Sequence, residues 1–92
     1  MKQTIEKYEN FMRAIGSHYK TIKVVLAEKY KFSSTDNGYL FLSETDKEWI
    51  IHPATVMENG EVSTGDGTYM FKHGCSYKEA KAVFEKRNWN GF

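Results

Sequence analysis

The only cysteine, Cys75, stands in the stretch "FKHGCSYKEA" (71–80), two residues after His73 and directly before a serine able to start a helix. A thiol beside a helix N-terminus feels the positive end of the dipole, which lowers its pKa and favours the reactive thiolate. His73 or His52 would then be the base of a Cys–His nucleophile pair. Little else supports that chemistry. No family-type signature surrounds Cys75, no oxyanion loop accompanies it, and free cysteine is among the most commonly buried residues. The expectation is therefore a packed, inert cysteine: Gly74 turns the chain, Ser76 caps the helix, and Cys75 lies between. A metal would need three or four convergent ligands. His73 and Cys75 offer two, His18 and His52 are scattered, and there is no C-x-x-C or H-x-x-x-H pair. "STGDGTY" lacks the Gly-Lys-Ser/Thr of a phosphate loop and reads as a hairpin turn. These patterns lead us to expect no enzyme, no metal and no other cofactor.

Charge is the second source of function. Residues 1–31 hold seven Lys/Arg against three Glu, residues 32–71 one Lys against seven acids, and residues 72–92 five Lys/Arg against two Glu. Basic ends thus flank an acidic middle, although the whole chain carries only +1. The middle acids are Asp36, Glu44, Asp46, Glu48, Glu58, Glu61 and Asp66, most of them at or beside predicted turns. Solvated turns account for them in the simplest way. If the fold lined them up, they would form an anionic surface able to steer a basic partner and to compete for a basic groove.

The elements that would place these groups follow from periodicity. "TIEKYENFMRAIG" reads as a helix with Ile5, Tyr8, Phe11, Met12 and Ile15 in one stripe, Thr4 as cap, and Glu6 and Glu9 in the early turns. In "SHYKTIKVVLAEKYKF", Tyr19, Ile22, Val25, Leu26 and Tyr30 fit a helix capped by Ser17. Ile22, Val24, Leu26, Tyr30 and Phe32 fit a strand instead. Length favours the helix, because strands usually run about five or six residues. From Ser33 on, Asn37-Gly38, Asn59-Gly60 and Asp66-Gly67 mark tight turns between the runs "YLFL", "EWIIH", "ATVM", "EVS" and "TYMFK", an antiparallel meander. His52-Pro53 is expected to end a strand, since proline cannot donate to a ladder. "SYKEAKAVFEKR" is a helix opened by the Ser76/Glu79 capping box, with Ala80, Val83 and Phe84 inward. In the tail, which carries Trp89 and Phe92, Trp89 should fold back on the core; the alternative is that the tail contacts a partner.

The expected architecture is one α+β domain over residues 1–92: one or two N-terminal helices, a four- to five-stranded antiparallel meander and a C-terminal helix. "YLFL" and "EWII" are apolar on both faces, so helices should cover both sides of the sheet. A single cysteine and the lack of a signal-like or membrane-length apolar run point to a cytoplasmic, reduced setting. The expected function is a small non-enzymatic protein that modulates a partner, a protein with a basic surface, through the seven acids. Phage-encoded inhibitors of host nucleic-acid machinery, anti-CRISPR proteins among them, share this general form, a likeness of type that no motif carries. The alternative is a nucleic-acid-binding module using the basic helices, with Lys20, Lys23 and Lys29, and the third is a Cys75-dependent enzyme. The recognition pattern Lys/Arg-Gly-Phe/Tyr-Gly/Ala-Phe is absent and the meander is acidic, which disfavours the sheet as a base-stacking platform.

Overall fold

A computed structural model describes residues 1–15, 19–30, 37–63, 70–72 and 74–87. Helix α1 (Lys2–Ile15) leads to strands β1 (Ile22–Lys29), β2 (Gly38–Thr45), β3 (Trp49–Val56), β4 (Val62–Ser63) and β5 (Met70–Lys72), and helix α2 (Tyr77–Lys86) follows. The strands form one antiparallel sheet in the order β1-β2-β3, with β4 and β5 sharing the far side of β3. Among the described residues five strands therefore occupy four positions.

Both faces of the sheet are covered, as the two-sided apolar runs require. On one face Tyr8 and Met12 of α1 pack on Ile22, Val24, Phe41, Ile50, Ala54 and Val56. On the other, Ala80 and Phe84 of α2 pack on Leu40, Leu42, Trp49 and Ile51. Each large side chain buried in this way contributes about 1.5–3 kcal/mol relative to exposure. Ring stacking adds to the first cluster: Tyr8 lies on Phe41 with centroids 4.0 Å apart and planes 14° from parallel.

The segment expected as a second helix is strand β1. Its register with β2 shifts between Val24 and Leu26, which marks a β-bulge. Ile22, Val24 and Ala27 join the α1 face, whereas Val25 and Leu26 both join the α2 face with Tyr30. The extra residue puts two neighbours on one side and restarts the alternation. Apolar residues three and four apart, which look helical in sequence, result from this fault in a strand.

His52-Pro53 does not end a strand either, and "EWIIH" and "ATVM" are one element. Val56 N donates to Asn37 O and Thr45 N to Glu48 O, so odd residues of β2 exchange bonds with even residues of β3. Pro53, opposite Leu40, thus falls in a non-hydrogen-bonded pair, and its missing N–H would point away from β2. On that outer side the described ladder joins β3 to β5 at Trp49–Ile51 and to β4 at Thr55–Val56, and pauses at Pro53. The proline sits where no donor is needed.

The capping box of α2 forms as its sequence dictates. Glu79 N donates to Ser76 Oγ at 3.2 Å, and Ser76 N donates to Glu79 Oε1 at 3.4 Å. The helix closes at Arg87, which adopts φ 53° and donates its N–H to Val83 O. Helix α1 starts three residues earlier than a Thr4 cap would allow, so Glu6 and Glu9 lie beyond its first turn. Glu9 acts sideways instead: its carboxylate accepts from Val24 N at 2.8 Å. Val24, opposite Ser43, turns its N–H to the outer side of β1. Helix α1 therefore satisfies part of a sheet edge that would otherwise invite pairing. Gly16, Ser17, His18, His73, Trp89, Phe92 and the Asp66-Gly67 turn lie outside the described residues.

Candidate functional site

The acidic residues fall into two groups, set by the directions of the strands. Glu44, Asp46 and Glu48 belong to the β2–β3 hairpin. Glu58 and Glu61 belong to the β3–β4 turn, at the other end of β3 and roughly 20 Å away along eight residues of strand. Asp36 and Asp66 lie outside the described residues. The fold gathers three of the seven acids and separates two others from them.

The hairpin is built by Thr45. Its hydroxyl donates to Glu48 O at 2.6 Å and accepts from Glu48 N at 2.8 Å and Lys47 N at 3.1 Å. The turn is then stitched to the chain entering β1. Asp46 Oδ1 accepts from Lys20 N at 2.7 Å and Thr21 N at 3.1 Å. The Thr21 amide above all holds the Asp46 carboxyl below its ordinary pKa; desolvation opposes it, and the Lys20 and Asp46 amides and the Lys47 charge lower it further. Tyr19 donates its hydroxyl to Glu48 Oε1. Two of the three carboxylates are thereby fixed in direction. Glu44 is exposed and stands opposite Trp49 in a non-hydrogen-bonded pair, the kind that brings side chains closest.

Next to Glu44 on that face is an aromatic pair. Trp49 donates its indole N–H to Cys75 O at 3.0 Å, which ties the sheet to the start of α2. Tyr77 packs on it with centroids 5.8 Å apart and remains 43% exposed. Lysines enter the same rim. Lys23 pairs with Glu44 across the strands, and Lys20 and Lys47 flank Asp46. The rim therefore alternates in sign.

At the opposite end, Glu58 and Glu61 are exposed. Lys7 donates to the carbonyls of Glu58 at 2.9 Å and Met57 at 3.5 Å, which secures α1 to this turn. Lys29 is also far from Lys20 and Lys23, at the other end of β1, with its ammonium 5.4 Å from the Tyr39 ring centre.

The Cys–His pairing with His52 is not assembled. Cys75 packs against the α2-face cluster, and His52 is buried on the α1 face with its Nδ1 on the Tyr8 hydroxyl. The sheet stands between them. Among the described residues no three or more His, Cys, Asp or Glu side chains are grouped to hold a metal ion. No helix among the described residues is long and apolar enough to cross a membrane.

Sequence reasoning missed two positioning residues. One is Glu9 on the β1 edge. The other is Arg87, which donates to Phe84 O, pairs with Glu28 and lies over the rings of Tyr30 and Phe84. Neither has a local signal, because each acts on a strand distant in the chain.

The fold defines a small α+β protein with a helix on each face of an antiparallel sheet. No protein-family model matches the chain, and no curated protein or solved structure is significantly similar to it.

Proposed function

We propose that this chain is a small non-enzymatic protein that works by binding another protein, whose basic side chains it meets at the hairpin rim. The observation that carries this reading is the fixing of Asp46 and Glu48 by the segment entering β1, beside the exposed Glu44. Carboxylates already held in direction lose less freedom on binding, which favours a specific partner. The half-exposed Tyr77 on Trp49 supplies the aromatic anchor that interfaces concentrate.

The alternating signs favour a protein over a nucleic acid. A phosphate backbone is a uniform row of charge and binds best to a uniformly basic face. Here Lys20 and Lys23 share the rim with acids, Lys29 lies at the other end of β1, and the exposed sides of both helices mix Lys with Glu. The partner is expected to carry basic groups in a matching arrangement.

The test is affinity capture with the folded chain as bait, followed by association kinetics of the captured protein. Glu44→Lys should slow association and flatten its salt dependence, with a loss of stability under about 1 kcal/mol because Lys23 stands opposite. If Glu58→Lys and Glu61→Lys slow association while Glu44→Lys does not, the rim is the wrong end. Tight binding of any duplex or single strand in a gel shift at about 100 mM salt, where exposed charges are partly screened, would transfer the function to nucleic acid.

A further inference from the structure

We propose that Asn59 is a site of spontaneous covalent modification, converting to aspartate and its β-linked isomer through a cyclic imide with Gly60. The chain contains three Asn-Gly pairs, at 37–38, 59–60 and 90–91, and sequence alone treats them alike. The third lies outside the described residues, and the structure sets the other two apart.

The reaction joins the Gly60 backbone nitrogen to Asn59 Cγ. The Cγ–Nδ2 bond breaks, and Nδ2 leaves as ammonia with the proton given up by Gly60. Water then opens the imide, at the side-chain carbonyl to give the β-linked isomer's alternative, ordinary aspartate, or at the main-chain carbonyl to give the β-linked isomer itself. No electrons are transferred, and water is the only other reactant.

The turn at Asn59 leaves the pair open to reaction in the folded chain. Both residues are exposed, and nothing lies within 4 Å of the position a Gly60 Cβ would take, so no packed side chain restrains the turn. Asn59 Oδ1 accepts from Glu61 N at 3.0 Å. That bond closes a ring of atoms that includes both Cγ and the Gly60 nitrogen, so it limits the freedom of the side chain that an intramolecular attack must otherwise restrict. The Glu61 amide also stabilises the same oxygen as it becomes anionic in the tetrahedral stage. One contact opposes the reaction: Gly60 N donates to Met57 O at 3.0 Å, and that bond must break first. The folded site is therefore slower than the same pair in an unfolded chain.

At Asn37-Gly38 the sheet stands in the way. Gly38 is buried at the start of β2 and its carbonyl accepts from Tyr30 N, while Asn37 O accepts from Val56 N. Cyclisation there has to wait until the ladder opens.

The product places a new carboxylate between Glu58 and Glu61. The β-linked form also lengthens the backbone inside a turn closed by Met57 N donating to Glu61 O at 2.8 Å. Lys7 grips that same turn, so the change loosens the N-terminal half of α1.

The test ages the intact chain in mildly alkaline buffer at body temperature and maps it after tryptic cleavage. Cleavage at Lys31, Lys47, Lys72 and Arg87 puts the three pairs on separate peptides, 32–47, 48–72 and 88–92. The gain of one mass unit is expected in 48–72 at least about a hundredfold faster than in 32–47, because strand openings are rare. Asn59→Gln should abolish the gain in 48–72 while the fold is retained, and in urea the first two peptides should convert at similar rates. Equal rates in the folded chain, or no gain in 48–72 over a period in which the urea sample converts, would overturn the proposal.

Discussion

Tyr8 of α1 and His52 of β3 share a hydrogen bond of 2.8 Å between the hydroxyl and Nδ1, inside the core. The two rings meet edge to face, with centroids 5.6 Å apart. Burial lowers the His52 pKa from 6.5 to about 4, so the imidazole is neutral at pH 7. The helix is thus joined to the sheet by an uncharged polar contact within an apolar layer.

This pairing makes stability depend on pH. In the unfolded chain His52 takes up its proton near 6.5, and in the folded chain only near 4. Between these values the unfolded state binds more protons, so the stability present above about pH 6.5 is lost as the pH falls toward 4, by about 3 kcal/mol in all. Urea midpoints measured from neutral to acid pH should fall more steeply for the native chain than for His52→Gln. Parallel profiles would show that His52 is not the group responsible. Tyr8→Phe, which keeps the ring on Phe41, should retain the steep profile at lower overall stability.

Ser43 lies on the same face, and its Oγ is buried with no hydrogen-bond partner among the described residues. A buried hydroxyl without a partner costs roughly 1–3 kcal/mol. Ser43→Ala should accordingly leave stability unchanged or raise it by up to about 1 kcal/mol in denaturant titrations. A loss larger than that would mean the hydroxyl is in fact satisfied.

Glu9 can be tested at the sheet edge. Glu9→Ala removes the acceptor for Val24 N and should cost about 1 kcal/mol. Glu9→Gln keeps an oxygen there and should cost less. Hydrogen exchange at the Val24 amide is the direct readout: it should accelerate in the alanine variant while exchange across β2 and β3 is unaffected.

The start of α2 separates capping from reactivity. Ser76→Ala should destabilise by about 1 kcal/mol through loss of the capping box. Cys75→Ser should leave partner binding intact, because the thiol packs against the core and is not paired with His52. A well-folded Cys75→Ser chain that loses function would restore the thiol as the working group.

What could be read from sequence was local. The α2 capping box depends on residues three apart, the stripes of both helices on one turn, and the Asn59-Gly60 turn on adjacent residues. Each is set by short-range sterics and hydrogen bonding, and each formed as expected except that Ile15, the last residue of the α1 stripe, is exposed. Two-sided apolar runs likewise required cover on both faces, which α1 and α2 provide.

The rest was decided by strands distant in the chain. Whether Ile22, Val25, Leu26 and Tyr30 make a helix or a bulged strand depends on β2, whose register absorbs the extra residue. Pro53 stays within a strand because the parity of the β2–β3 ladder turns its nitrogen outward, which no reading of the dipeptide reveals. The acidic middle looked like one surface because its residues are close in sequence. An antiparallel hairpin instead sends successive turns to opposite ends of the sheet and draws Lys20 and Lys23 in among Glu44 and Asp46. Sequence carries the number of charges, whereas strand direction and register determine which of them become neighbours.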